Sequence, residues 1–297
     1  MIRIGVDIGG TKMEIAALDE SGAELLRRRA PAPRGGYAQA IEAIAQFVLE
    51  AERELGAPCT VGIGTPGAVS HGSGVLKNAY ASALNGKPVK PDLERLLGRE
   101  VRFANDANCF ALSEAIDGAA KGAQLVFGVI LGTGVGGGVV ADGRAIEGVN
   151  SIAGEWGHNA LPWPTPGELP GPRCACGRDG CIEAFLSGPG LARDHLLATG
   201  EARAPADIAA RAESGDRGCA LTLDRYEERL ARALASVINV LDPEVIVLGG
   251  GLSNTGRLYR NVPARWIRHV YSDSVVTRLV KAAHGDASGV RGAARLW

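Results

Sequence analysis

The chain has 297 residues, 46% hydrophobic and 22% charged, which excludes a disordered chain, a collagen and a coiled coil and suits two domains that each bury a core. Lys and Arg number 32 against 33 Asp and Glu, a formal net charge of -1, so no global basic field exists to hold nucleic acid or an anionic membrane surface. Charges at Arg3 and Asp7 interrupt the first apolar residues and no apolar run of about 18 follows, so a cytoplasmic protein without a leader or membrane span is expected. Six cysteines are too few for a disulfide scaffold, and three of them crowd into residues 174 to 181. The 42 glycines fall in clusters at the ends of β-branched runs, a sign of backbone geometry at turns.

Residues 2 to 8 (IRIGVDI) read as a buried strand, Gly9-Gly10-Thr11-Lys12 as a tight turn, residues 13 to 18 as the returning strand and 24 to 30 as a third. From Tyr37 to Leu55 the apolar residues Ile41, Ile44, Phe47, Val48 and Ala51 keep the helical period, with Glu42, Glu50, Glu52 and Arg53 outward. A strand over 60 to 64 follows, then one over 101 to 104, after which Asn105-Asp106 opens a helix through Ile116. At Leu125 the opening layout repeats: VFGVIL is a strand, Gly132 to Gly137 a turn and VVADGR the returning strand. The repeat predicts an internally duplicated α/β architecture with a cleft, divided into residues 1–118 and 119–297, with the last helix free to pack back on the first domain. A helix over about 216 to 240, a strand Val245 to Leu248, a Gly249-Gly250-Gly251 turn and a helix capped by Asn254 complete the chain.

Gly132-Thr133-Gly134-Val135-Gly136-Gly137 satisfies the G-x-G-x-x-G dinucleotide fingerprint only formally, because a strand rather than a helix follows, so a nicotinamide enzyme is rejected. No G-x-x-x-x-G-K-[ST] occurs, which excludes a P-loop. Two glycine hairpins in matching places suit a phosphate chain approaching backbone N–H groups, although a plain tight turn uses the same residues. The first hairpin adds Asp7, Thr11 and Lys12: a carboxylate for Mg²⁺, a hydroxyl and a cation, which are the needs of phosphoryl transfer. Gly249 to Gly251 leave a flat backbone surface against which an adenine ring could lie.

His158, Cys174, Cys176 and Cys181 form H-x15-C-x-C-x4-C, the donor set of a closed, structural Zn²⁺ site. Glu155 and Glu183 flank it, and carboxylates suit sugar hydroxyls. Asp106 reads two ways: as a helix N-cap, or as a carboxylate at the end of a strand that takes the proton of an attacking hydroxyl.

Asp7-x-Gly9-Gly10-Thr11-Lys12, Asn105-Asp106, Gly132-Thr133-Gly134, Glu155-x-x-His158 and Cys174-x-Cys176-x4-Cys181-x-Glu183 occur in the order seen in the ROK family of sugar kinases and repressors, which the whole chain resembles. The resemblance implies the actin-like, hexokinase-type fold, ATP with Mg²⁺ as phosphoryl donor, and the 6-hydroxyl of a hexose as acceptor. It implies Asp106 as general base, Asn105 as a neighbouring sugar ligand, and Glu155, His158 and Glu183 as further sugar contacts, with His158 also a zinc ligand. Gly67 and Asn85-Gly86 match sugar-facing loops. The chain opens on the phosphate-binding strand, which fits the kinase branch rather than the repressors. Trp156, Asn159, Leu161-Pro162-Trp163, Leu84-Asn85-Gly86 and the ending from His284-Gly285-Asp286 to Trp297 look most like bacterial fructokinases that also accept mannose. N-acetylglucosamine kinases and glucokinases are the alternatives, and a non-catalytic sugar sensor is the alternative of another class. The expected activity is therefore phosphorylation of D-fructose to fructose 6-phosphate by a homodimer.

Overall fold

The computed structural model of the chain describes residues 1–33, 35–79 and 82–297. It forms two compact units, the first of residues 1–121, 138–153 and 286–297, the second of residues 122–137 and 154–285. A single boundary at 118/119 does not describe this division, because the chain returns to the first unit twice.

The first unit begins with the antiparallel strands β1 (Ile2–Ile8), β2 (Lys12–Leu18) and β3 (Glu24–Pro31), then helix α1 (Tyr37–Leu55). Strand β4 (Cys59–Thr65), short strands β5 (Ala68–Val69) and β6 (Leu76–Lys77), helix α2 (Val89–Leu97), strand β7 (Arg102–Asn105) and helix α3 (Asp106–Ile116) follow. The sheet runs β3-β2-β1-β4-β7, with β1–β4 and β4–β7 parallel. The apolar stripe of α1 is buried as its spacing predicts and joins Ile4, Val6 and Ile63 in one core, each large side chain contributing about 1.5–3 kcal/mol by leaving water. Gly56, left-handed at φ 64°, ends that helix.

The second half repeats this plan. Strands β8 (Leu125–Leu131), β9 (Val135–Ala141) and β10 (Arg144–Ala145) come first. Helices α4 (Ile182–Leu186), α5 (Gly188–Thr199), α6 (Pro205–Glu213) and α7 (Arg217–Leu241) lead to β11 (Val245–Gly249), α8 (Leu258–Trp266), β12 (Arg278–Lys281) and α9 (Ser288–Ala294). The sheet order β10-β9-β8-β11-β12 matches the first sheet place for place, with β8–β11 and β11–β12 parallel, so the duplication expected from the two hairpins is real. The division passes through β9, which belongs to the first unit from Gly138 onward. A Cβ at Gly138 would lie 2.4 Å from the carbonyl oxygen of Ala107, so this glycine lets β9 close on α3. Helix α9 returns to the first unit for a similar reason: Cβ atoms at Gly5 and Gly62 would lie 2.0 and 1.9 Å from the carbonyls of Val290 and Ala293.

Two local expectations are corrected. The second glycine turn ends at Gly134, not Gly137, because Val135 to Gly137 already belong to β9, where a Cβ at Gly137 would meet the Gly154 carbonyl at 2.6 Å. Asn254 caps no helix: residues Gly251–Asn254 form a 3-10 turn in which Asn254 Nδ2 donates to the Gly251 carbonyl, and α8 starts only at Leu258. Gly250 holds the turn out of β11 at φ 78° and ψ 172°, a backbone open to glycine alone, with its missing Cβ 2.4 Å from the Leu131 carbonyl. Gly250→Ala is therefore expected to cost at least about 3 kcal/mol. The urea midpoint checks this, with Gly256→Ala as control, since a Cβ at Gly256 meets nothing within 4 Å.

Candidate active site

In the first unit, β1 and β2 close their hairpin with a Gly9 N–H donating to the Lys12 carbonyl at 2.9 Å, leaving Gly10, Thr11 and Lys12 exposed. A Cβ at Gly10 would meet nothing within 4 Å, so no packing demands a glycine there, and the backbone lies open to a ligand. Asp7 is half-buried at the end of β1, opposite Glu14 on β2 and Gly64 on β4. Burial, then the charges of Asp106 and Glu14, push the Asp7 carboxyl up to about 7, while Lys12 pulls it the other way. A hard cation would relieve this crowding of carboxylates, and oxygen donors of this kind fit Mg²⁺. Glu14, which sequence reading passed over, is buried and accepts from Arg27 Nε at 2.5 Å and Arg29 Nε at 2.8 Å. The alternation of Arg27 and Arg29 on β3 facing an acid on β2 was the available signal.

The end of β7 carries the next group. Asn105, not Asp106, is the N-cap of α3: its Oδ1 accepts from the Ala107 N–H at 2.9 Å, and its Nδ2 donates to the Gly67 carbonyl at 3.1 Å. Asp106 is the first helical residue, its Oδ1 2.8 Å from the same Ala107 N–H. Burial raises the Asp106 carboxyl above its ordinary range, opposed by hydrogen bonds from the backbone of Ala107 and Asp106 and from the Asn105 side chain. Gly67, at φ 77°, packs where a Cβ would fall 2.0 Å from the Lys77 carbonyl, and Asn85 Oδ1 accepts from the Ala79 N–H at 3.0 Å. Gly67, Asn85 and Asn105, well separated in sequence, are thus linked through residues 77 to 79 and the Gly67 carbonyl, with Asp106 next in the chain. Gly86 is exposed at φ 72° and donates to the Leu76 carbonyl.

In the second unit, the ligand atoms of His158, Cys174, Cys176 and Cys181 all lie within 4.8 Å of one another. His158 Nδ1 is 3.6 Å from Cys174 Sγ, and the Sγ atoms of Cys176 and Cys181 are also 3.6 Å apart. A tetrahedral zinc with Zn–S bonds of about 2.3 Å sets its ligand atoms about 3.8 Å apart, so the geometry fits the ion. The turn that presents these thiols is closed by Cys174 N–H to the Arg178 carbonyl and Gly177 N–H to the Cys174 carbonyl, with Gly177 left-handed at φ 89°. Cys181 starts α4, which carries Glu183. One oxygen of Glu183 accepts from the Val135 N–H at 3.0 Å and the other lies 3.6 Å from Cys174 Sγ, so this carboxylate ties the cysteine cluster to the second glycine hairpin. Glu155 precedes the 3-10 turn Trp156–His158, and Trp156 anchors that turn by donating to the Gly136 carbonyl and standing edge-on to Phe127. Glu168 holds the loop before the cysteines by accepting from Arg229 and Arg232 of α7, a buried ion pair that sequence reading did not find.

A cavity of about 790 Å³ lies wholly within the second unit, lined by Gly132 and Thr133 of the hairpin, Gly251 and Asn254 of the third glycine turn, and the small residues of α5 and α6. Gly188, Pro189, Ala206, Ala209 and Ala210 make its walls flat and apolar, and Glu213 adds a carboxylate. The i, i+3, i+4 alanines of α6 were the sequence signal for this wall. Gly134, Gly249 and Gly250 do not line it. Gly134 abuts Glu183, Gly249 is buried in β11, and Gly250 packs on Leu131. Cys59, Cys109 and Cys219 are buried in core, apart from the four-ligand cluster.

Residues 3–297 match the ROK family. The chain belongs to the ROK family. Its similarity to the N-acetyl-D-glucosamine kinase of Photobacterium profundum is 42% identity over 296 residues, 98% of each chain. Among solved structures it is similar to the ROK hexokinase of Thermus thermophilus, with TM-score 0.88 and 33% identity over 100% of this chain and 97% of that one. The ROK family glucokinase of Streptomyces griseus, solved in complex with glucose and AMPPNP, has TM-score 0.80 and 28% identity over 100% and 99% of the two chains. Family membership and these relatives support an ATP-dependent sugar kinase on the actin-like, hexokinase-type fold. They do not single out fructose: several curated relatives at 40 to 42% identity are N-acetyl-D-glucosamine kinases, the second sugar expected from the motifs. Among the described residues of this ROK chain, no helix is long and apolar enough to cross a membrane.

Proposed function

We propose that this ROK protein transfers the γ-phosphoryl group of ATP to the 6-hydroxyl of a hexose, with Asp106 as general base. The observation that carries this reading is the Asp106 carboxylate itself. It is fixed at the first turn of α3, raised by burial, and close enough to Asp7 to raise that carboxyl in turn. A base of raised pKa is better matched to a hydroxyl proton than an ordinary exposed carboxylate.

In this mechanism the sugar hydroxyl oxygen attacks the γ-phosphorus in line, Asp106 accepts the hydroxyl proton, and the bond from the γ-phosphorus to its bridging oxygen breaks as ADP leaves. Asn105 fixes that carboxylate by capping α3 and tethering Gly67, and Gly67, Asn85, Asn105 and Gly86 contact the sugar. Glu155, His158 and Glu183 supply acceptors and a ring nitrogen for its remaining hydroxyls, since each carboxylate oxygen has two lone pairs and each Glu183 oxygen keeps one beside the bond it already makes. The Gly9 and Gly132 N–H groups close their turns on the Lys12 and Gly134 carbonyls, which leaves the backbone N–H groups of Gly10 and Thr11, and of Thr133, to hold phosphate oxygens, with Lys12 as the neighbouring cation. The small-residue cavity takes the adenosine, whose flat ring suits walls with little side-chain bulk. Mg²⁺ held at Asp7 would neutralise phosphate charge. His158, Cys174, Cys176 and Cys181 would give zinc four protein ligands and no open position, so the ion would serve structurally, keeping residues 155 to 183 rigid and His158 oriented with Nδ1 toward the cysteines and Nε2 toward the sugar.

Two sugars have separate support. The curated relatives favour N-acetyl-D-glucosamine. Trp156, Asn159, the Leu161-Pro162-Trp163 run and Leu84-Asn85-Gly86 favour fructose, with mannose as a further acceptor. A coupled ADP-release assay over fructose, mannose, glucose and N-acetylglucosamine is expected to give turnover with at least one of them, and the highest kcat/KM assigns the sugar. Binding without ADP from any of the four would overturn the kinase reading in favour of a sugar sensor.

A further inference from the structure

A second cavity, of about 750 Å³, lies wholly in the first unit and contains neither Asp106 nor Asp7. Its walls are β5, the edge strand β7, the outer face of α3, and the β9–β10 hairpin with the turn that follows. Its polar groups divide into two kinds.

The first kind is basic. Lys90, Arg102, Arg144 and Arg295 line the cavity together with the His71 imidazole and the Glu147 carboxylate. Arg102 is engaged, donating to the Leu296 carbonyl and stacked 4.0 Å over the Trp297 ring, and Lys90 leans toward Glu94 at 3.8 Å. The side chains of Arg144 and His71 have no hydrogen-bond or ion-pair partner among the described residues. Arg144 is held at the rim by the Asp142-Gly143 turn, both residues at positive φ, as a two-residue hairpin requires.

The second kind is neutral, buried and unsatisfied. Asn108 and Ser151 are 5% and 8% exposed, both line the cavity, and Asn108 Oδ1 and Ser151 Oγ have no hydrogen-bond partner among the described residues. Buried polar atoms are nearly always paired, so an orphan carbonyl and an orphan hydroxyl in one wall point to a missing partner. Ser151 also holds a left-handed backbone at φ 52°, strain of the kind that marks ligand sites. The turn that imposes it is pinned by Lys77 Nζ on the Asn150 carbonyl.

From this cavity we infer a second binding site, for a small hydroxylated phosphate such as a sugar phosphate. The cations take the phosphate, and Asn108, Ser151 and Glu147 take hydroxyls, an acceptor set that an inorganic anion could not satisfy. The volume lies within the range of small-molecule pockets. Asn105 belongs to the same wall, so the occupant would touch the residue that caps α3 and fixes Asp106. The ligand is either the product of the enzyme's own reaction or a sugar phosphate made elsewhere.

Calorimetric titration of the full chain separates these. Fructose 6-phosphate, glucose 6-phosphate and N-acetylglucosamine 6-phosphate are the probes, each with and without saturating ADP and hexose, with inorganic phosphate and free fructose as controls. Binding is expected to persist when ADP and hexose are present, and to weaken about ten-fold or more in Arg144→Gln and in Asn108→Leu, the loss expected for a charge-assisted or buried hydrogen bond. Arg144→Gln, at an exposed rim, is expected to fold normally and to keep the parent kcat in the absence of sugar phosphate. The tightest probe tells whether the product or another sugar phosphate is the ligand. Loss of all binding on addition of ADP and hexose, indifference to Arg144→Gln, or equal affinity for inorganic phosphate or free fructose would each overturn the proposal. The kinase reading stands or falls separately on turnover, which this titration does not measure.

Discussion

Asp106→Asn is expected to lower kcat for sugar phosphorylation by at least about 100-fold, the usual scale for loss of a general base. Asparagine keeps the shape of aspartate and an oxygen to accept the Ala107 N–H, so the first turn of α3 should form as before. The cap itself is Asn105, which the substitution leaves alone. An unchanged urea midpoint would therefore accompany the loss of rate and separate chemistry from folding. The sign of the pH dependence follows from the raised carboxyl. The base must be ionised to accept a proton, so the parent's kcat/KM is expected to fall as pH drops through the Asp106 pKa, at a pH above the ordinary 3.8 of aspartate. A kcat within a few-fold of the parent in Asp106→Asn would leave that residue only a helix-start role, and the proposed mechanism would be lost.

Cys176→Ser is the second large effect. Purified parent protein is expected to carry about one zinc per chain by elemental analysis, and the variant close to none, because a serine hydroxyl is a poor replacement for a thiolate donor. Cys176 is suited to donate as thiolate near neutral pH, since the backbone N–H and side chain of Arg178 hold its pKa below the usual thiol range. The consequence should reach the sugar. Cys174, a ligand of the same cluster, sits 3.6 Å from Glu183, and Glu183 in turn accepts from Val135 beside the second glycine hairpin. A rise in KM for sugar together with a lowered Tm is expected. Zinc-free parent protein with full activity would remove both the metal and this route from the mechanism.

These tests rest on motifs that differ in how much of their meaning is local. The hairpins, α1, α7 and the cluster of His158, Cys174, Cys176 and Cys181 were legible because each depends on short-range chemistry: alternation, a 3.6-residue period, or soft donors close in sequence. Asp106 was legible as an acid at a strand end but not as the residue after the cap, since Asn105 and Asp106 compete for one N–H and the winner depends on the Gly67 carbonyl reaching Asn105. The glycines were the hardest to assign. Gly137 and Gly250 resemble phosphate-turn glycines in sequence, yet each is required where backbone from a distant segment leaves no room for a Cβ.

The linear order of residues, by periodicity and motif spacing alone, determined the duplicated α/β plan with its two glycine hairpins and singled out His158, Cys174, Cys176 and Cys181 as one cluster. Only the tertiary structure decided that Gly132, Thr133, Gly251 and Asn254 share one small-residue cavity, that Asn105 rather than Asp106 caps α3, and that a second, cation-lined cavity exists. The reason is physical. A residue's secondary-structure preference is set by its near neighbours, whereas cavities, buried partners and close approaches between backbones are set by atoms far away along the chain.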